Sequence, residues 1–201
     1  MSDPYAARPS VHERSVDGFG TVRVLPLDAR ADAEVIHRWT SEERAVFWGM
    51  NGLSREEVTA IYAHMDTLDT HHALLLVKDG EPAALLQTYE PEADRVSECY
   101  EVRPGDIGIH LLLAPAGPAG PRTGWTSALL DVITSYVLSG PDRTRIVVDP
   151  DVRNGKAIAR FLRYGFTAGP SVVLPEVNLP GVHIPEKKAR LAFLTREAIG
   201  E

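Results

Sequence analysis

The sequence predicts an α/β fold, and three observations predict it. Strand patterns of period two take turns with helical patterns along the chain. A hairpin is written into HALLLVKDGEPAALLQTY, where two apolar runs flank Asp79-Gly80, a dipeptide that accepts the positive φ angles of a tight turn. Between Gly105 and Tyr164 a strand, a glycine-bearing loop, a helix, a strand and a second helix follow one another. That order lays helices on a sheet and leaves a ligand-sized loop at a strand end.

The elements follow in order. Residues 1–18 carry Pro4, Pro9, Ser10 and scattered charges and read as a flexible lead-in, with residues 19–201 as a single domain. TVRVLPL alternates and reads as a strand; ADAEVIHRW has a short helical pattern. Ser54 and Glu57 stand at capping-box spacing ahead of a helix from Arg55 to about Asp66. After the hairpin, Asp94–Pro104 reads as a polar connection and GDIGIHLLL as a strand, in which Gly105 and Gly108 point to a bulge or a close approach to the backbone. APAGPAGPRTG looks like a linker. The helix after it, about Trp125–Leu138, is short and needs a sheet to cover its apolar face, so the segment is read as an internal loop. RTRIVVDP is a strand. Asn154–Tyr164 is a helix with Ala157, Ile158, Phe161 and Leu162 on one face and Gly165 at its C-cap. Strands follow at about Thr167–Leu174 and Lys188–Leu194.

Bulk properties narrow the function. The 201 residues suit one sizeable domain, and 44% hydrophobic with 24% charged residues is ordinary for a globular chain. The formal charge of -7 is diffuse, which argues against nucleic-acid binding and mildly favours a cationic substrate. Cys99 is the single cysteine, so neither an internal disulfide nor a cysteine-based zinc site can be built. His64, His71 and His72 have no carboxylate or third histidine at ligand spacing, so no metal is expected. The first nine residues have no apolar run and no stretch is long enough to span a bilayer, so a cytoplasmic protein without membrane partners is expected.

Two segments carry chemistry. At Gly120–Leu130 glycines precede a helix whose N-terminus presents unpaired amides, with Arg122 adding charge; this is a phosphate cradle or an ordinary glycine-rich connection. VVDPDVRNGKAIARFLRYGF, residues 147–166, resembles the second half of the coenzyme A site of the GNAT acyltransferases. The resemblance implies a mixed, mostly antiparallel sheet that splays in the middle, with flanking helices, and an acyl-CoA co-substrate (acetyl-CoA or succinyl-CoA) whose pantetheine lies in the splay. It implies cofactor contacts from Asn154 and Tyr164, and from Arg122, Thr123, Gly124, Trp125 and Thr126. The loop reads PRTGWTSA in place of the usual Q/R-x-x-G-x-G/A and lacks the final glycine.

GDIGIHLLL, HRWTSEERAVFWGMNGLS and QTYE further resemble the group that acylates hydroxylamines in hydroxamate siderophore pathways, the aerobactin, rhizobactin, mycobactin and desferrioxamine acyltransferases. The likeness runs over about residues 20–196, with Gln87 where glutamate is commoner and Tyr89 retained. It implies an acceptor such as N-hydroxycadaverine or N6-hydroxylysine, with Trp39, Trp48, Tyr89 and Gly108 lining its pocket. His110 shares a strand face with Gly108. By itself a histidine among apolar residues reads as a core group; the resemblance makes it general base or substrate orienter. Asp149, ending the next strand, becomes its partner or the base itself, unless it caps the helix that follows. Backbone N–H groups of Leu111, Leu112 or Leu113 are the oxyanion donors in this reading. Cys99 is not expected to act as a nucleophile.

Two other readings stand beside this one. One is a different GNAT enzyme, acting on an aminoglycoside or polyamine; the other is a module that binds acyl-CoA without turnover. A monomer or homodimer is expected in each case.

Overall fold

The hairpin sets the pattern for its half of the chain. Asp79 and Gly80 both take positive φ, 48° and 82°, which turns one strand back upon the other in the sense that matches strand twist. The computed structural model describes residues 3–117, 120, 122–179 and 182–200. Its elements are β1 (His12–Val16), β2 (Gly20–Pro26), α1 (Ala33–Thr40), α2 (Arg55–Met65), β3 (His71–Lys78), β4 (Glu81–Tyr89), β5 (Asp106–Leu113), α3 (Trp125–Val137), β6 (Arg145–Val148), α4 (Gly155–Tyr164), β7 (Thr167–Leu174), β8 (Val177–Leu179), β9 (Val182–Ile184) and β10 (Lys187–Thr195). Short 3-10 turns add Glu43–Trp48, Pro91–Ala93, Arg95–Glu98 and Arg196–Ile199. Pro118, Ala119 and Pro121 of the glycine-proline-alanine loop lie outside the described residues.

The chain divides into two compact units, Met1–Gln87 with Leu111–Tyr136, and Thr88–His110 with Val137–Glu201. In the first, β1, β2, β3 and β4 lie side by side, and the amide of Ala114 just past β5 donates to the carbonyl of Ala83 at 2.9 Å. Leu25, Ile36, Trp39, Val58, Tyr62, Leu75, Leu85 and Leu112 form its core. The capping box at α2 is closed in both directions: the amide of Glu57 donates to Ser54 Oγ and the amide of Ser54 donates to Glu57 Oε2. β1 falls inside the segment expected to be a loose lead-in. It pairs antiparallel with β2 from His12↔Val24 to Val16↔Gly20, and Arg14 Nη1 donates to the carbonyl of Asp131 on α3. The pairing with β2 is a tight hairpin across Asp17–Phe19, with Gly18 at φ 69°, whereas the contact to α3 is distant along the chain.

In the second unit the strand order is β5, β6, β10, β7. β6 and β7 run antiparallel to β10, whereas β5 and β6 are parallel. Their pairing covers three positions, Asp106↔Arg145, Ile107↔Ile146 and Gly108↔Val147, and then stops. Past β6 the chain follows β10: Arg190 donates its amide to the carbonyl of Pro150 at 2.9 Å, and Val152 to that of Lys188 at 3.0 Å. The parallel pair therefore opens after Gly108, which is the splay expected from the sequence.

The closed end of that pair is fastened by charge. Arg145 Nε and Nη2 donate to the two oxygens of Asp106 at 2.7 and 2.6 Å, and the Tyr100 hydroxyl donates to the same carboxylate at 3.0 Å. Gly105 (φ 86°) admits the carbonyl of Asp142 where any side chain would collide with it. The β8–β9 hairpin, which the sequence reading did not find, stands between β7 and β10. Its feet share one guanidinium: Arg95 Nη1 donates to the carbonyls of Pro175 (2.8 Å) and Pro185 (2.7 Å).

Burial by itself pushes the Asp106 carboxyl up, but the bonds from Arg145, the Arg103 amide and Tyr100 outweigh it and hold it below the usual carboxylate range. The folded chain thus binds this proton more weakly than the unfolded chain. The stabilisation is complete above about pH 4 and is lost as pH falls further. Asp106→Asn is expected to lower the unfolding free energy by about 3 kcal/mol at neutral pH. The deficit should shrink below about pH 4, as read from urea melts across that range.

Candidate active site

The second unit gathers three polar side chains around one carboxylate. β5 alternates, so Gly108 and His110 share a face. Gly108 does not leave room for a substrate, as the sequence reading held. Its missing side chain makes room for Tyr89, whose ring lies where a Cβ would be. From there the Tyr89 ring reaches His110, with ring centroids 4.9 Å apart, and its hydroxyl donates to Asp149 Oδ1 in a long contact of 3.4 Å. Asp149 stands just past the end of β6, where the splay has opened, and its Oδ1 meets His110 Nε2 at 3.0 Å. Lys187, the first residue of β10, donates from Nζ to Asp149 Oδ2 at 2.6 Å.

The burial of these groups is unequal. The Asp149 side chain is 3% exposed and that of His110 36%. The carboxylate is therefore an internal group and the imidazole the part that solutes can reach. Burial by itself disfavours the charge on Asp149; the charges of and hydrogen bonds from His110 and Lys187 more than offset it and hold the carboxyl well below its usual range. Tyr89 is raised well above the ordinary phenol range by burial first and by the Asp149 charge second, so it stays a hydrogen-bond donor. Because an ionised Asp149 can only accept, the proton between it and His110 belongs to Nε2.

The alternative role for Asp149, capping the next helix, is not what the structure has. Asn154 caps α4, its Oδ1 accepting the amide of Ala157 at 3.1 Å. Asp151 takes the amide and guanidinium of Arg153. Tyr164 is half-buried near the end of α4, its ring 6.3 Å from that of Phe166. The Cys99 thiol donates to the carbonyl of Val173, and burial pushes it up, away from nucleophilic use.

The remaining expected residues lie in the first unit. Trp39 is 2% exposed and belongs to the core there. Trp48 is partly buried, and its indole N–H donates to the Tyr62 hydroxyl at 3.1 Å. Gln87 Nε2 donates to the same oxygen at 3.3 Å. At the start of α3, Gly124 (φ 78°) turns the chain, and the Arg122 guanidinium lies 5.3 Å from the Trp125 ring. Lys78 reaches the other rings of that patch, 5.0 Å from Phe19 and 5.6 Å from Trp125. Thr123 and Thr126 flank the same turn. Of Leu111–Leu113 at the end of β5, Leu112 is buried and the carbonyl of Leu113 accepts from Arg44 Nη1 at 2.6 Å.

Lys187 escaped the sequence reading because KKAR looks like a solvated edge. Its signal is the strand alternation: Lys187 shares the face of Ala189 and Leu191, both fully buried. A lysine in phase with two core residues has to find an anion.

Residues 28–174 match the acetyltransferase (GNAT) domain, and the chain belongs to that family. Its sheet and flanking helices are those of the GNAT fold. An aminoglycoside acetyltransferase solved with coenzyme A and kanamycin superposes with a TM-score of 0.69 at 21% identity, over 89% of this chain and 96% of that one. A spermidine N-acetyltransferase of Vibrio cholerae, solved with CoA and spermine, gives 0.63 at 14% identity over 88% and 96%. Among relatives by sequence, an N(6)-hydroxylysine O-acetyltransferase of Escherichia coli is 30% identical over 84% of this chain and 50% of its own length. An N-hydroxyputrescine acetyltransferase of Acinetobacter baumannii is 24% identical over 60% and 56%. The chain thus spans about half the length of the curated relatives it matches.

Gly108→Ala is expected to drive a methyl group into the Tyr89 ring and cost about 1–3 kcal/mol. A thermal melt within about 1 °C of the parent, where a loss of that size shifts a domain by several degrees, would show that the ring is not held over the strand.

Proposed function

We propose that this protein is an acyl-CoA-dependent N-acyltransferase that moves an acetyl or succinyl group onto the hydroxylamine nitrogen of an N-hydroxylated diamine or amino acid, giving a hydroxamate. The observation that carries the reading is the reachable His110 on the buried Asp149, at 3.0 Å. The names of the two sequence relatives, which act on N6-hydroxylysine and N-hydroxyputrescine, support the acceptor class.

An N-hydroxyamine is much less basic than a primary amine and stays largely neutral near pH 7, so its nitrogen needs a modest base rather than a strong one. In this reading nitrogen attacks the thioester carbonyl, the C–N bond forms and the C–S bond breaks. His110 Nδ1 takes the proton from nitrogen, coenzyme A leaves as its thiolate, and the imidazolium passes that proton to the sulfur, which gives the thiol and restores the neutral ring. Asp149 fixes the imidazole tautomer and steadies its charge. A backbone N–H among Leu111, Leu112 and Leu113 is the donor to the carbonyl oxygen. Arg122, Thr123, Gly124, Trp125 and Thr126 at the start of α3 are the residues for the phosphates, Asn154 is a further cofactor contact and Tyr164 the aromatic near the thiol. Tyr89 and, separately, Trp48 are the residues this reading assigns to the acceptor. The setting we propose is cytoplasmic, where acyl-CoA is supplied; no helix among the described residues is long and apolar enough to cross a membrane.

The structural neighbours that act on aminoglycosides and spermidine support a second reading, in which the acceptor is an ordinary amine. Free-CoA release separates the two. Acetyl-CoA and succinyl-CoA serve as donors, with N-hydroxycadaverine, cadaverine, N6-hydroxylysine and lysine as acceptors. Release that requires the hydroxylated amine and yields an iron-chelating product is expected. Release with the plain amines alone would sink the hydroxamate reading in favour of the second. His110→Ala and Asp149→Asn are each expected to lower turnover more than about tenfold, a barrier of about 1.4 kcal/mol or more, while acyl-CoA affinity stays within a few-fold.

A further inference from the structure

A carboxylate as buried as Asp149 needs a compensating cation. Two residues compete for that duty. His110 lies on Oδ1 at 3.0 Å, and Lys187 on Oδ2 at 2.6 Å. If His110 were the sole counter-charge, the buried carboxylate would favour its charged form, which has no lone pair to take a proton. A lysine stays charged over the whole physiological range when it is paired with a carboxylate. It therefore satisfies the buried charge permanently and leaves the histidine able to be neutral.

We propose that Lys187 is a positioning residue for the acyl transfer, supplying the fixed counter-charge of Asp149 so that His110 is available as a neutral base. The inference rests on the role given to His110 in the proposed function. Lys187 touches the imidazole's partner and not the reacting atoms, so its effect is transmitted through Asp149. Its placement is defined by the fold: it opens β10 two residues after Pro185, whose carbonyl is held by Arg95, and its face of the strand continues into buried Ala189 and Leu191. The other ionisable groups that face Asp149 are Tyr89 from the end of β4, which donates to Oδ1, and Cys99 from the turn after Arg95–Glu98. Asp151, on the segment after β6, feels Lys187 as well, but its own partner is Arg153. Lys187 is thus the cation, other than His110 itself, hydrogen-bonded to this carboxylate among the described residues.

Neutralising Lys187 hands the counter-charge to His110. In Lys187→Met the titration midpoint of the His110 ring is expected to move to higher pH, by on the order of one unit. Lys187→Arg is expected to restore it. The readout is the NMR titration of histidine-labelled protein, with the His110 resonance assigned as the one lost in His110→Asn. Lys187→Gln, which deletes the charge and keeps a donor, supplies the same reading should the methionine variant not fold. The acid limb of kcat/KM is expected to move by the same amount in the same direction. A His110 midpoint unchanged in both Lys187→Met and Lys187→Gln would overturn the proposal. The titration needs no turnover. If the midpoint moves while no acceptor supports CoA release, the charge relation stands and the assigned reaction fails.

Discussion

Placing an ionised carboxylate out of reach of water is tolerated only when donors and positive charge surround it, and in the second unit Asp149 imposes that demand. Three separate stretches of chain answer it. The end of β4 brings a phenol, β5 an imidazole, β10 an ammonium, and the opening after β6 gives the carboxylate its place between them. None of these groups is adjacent to another in sequence, so the cluster forms only when the strands have their final register. The polar network therefore reports the correct assembly of this unit as well as equipping it for chemistry.

The register that makes this possible depends on unequal pairing along β5. Three parallel pairs fasten its beginning, reinforced by the Asp106–Arg145 bridge, and then the pairing ends. Charge closes the strand pair at its start, and the pairing ends past Gly108. Gly108 sits at the last paired position and admits the Tyr89 ring, so the same residue that ends the ladder lets an aromatic wall approach the imidazole.

Features with local causes were legible in the sequence. Asp79-Gly80 forces its turn whatever surrounds it, and Ser54 with Glu57 closes a box within one helical turn. Asn154 and Gly165 bracket α4 as their residue types demand. The pairing of His110 with Asp149 was legible through a motif. What was not legible lay in short strands and in side chains whose neighbours come from elsewhere in the fold. β1 is held by β2 and by contacts to α3, and β8 and β9 are three residues each, interrupted by Pro180 and Gly181 in the sequence. Trp39 reads equally as pocket or core until its neighbours are known, and they make it core. Gly108 was rightly singled out as a place of close approach, but the visitor is a side chain of the same protein. Lys187 was hidden because a lysine is presumed solvated, although its phase with Ala189 and Leu191 contradicted that.

Arg95 holding both feet of the β8–β9 hairpin separates that hairpin from the strands it interrupts. One guanidinium fixes where the chain leaves β7 and where it re-enters β10, so the residues between can change in number or kind without transmitting strain to either strand. The excursion is thereby mechanically insulated from the register that sets Lys187 against Asp149, like a spur clamped at its base.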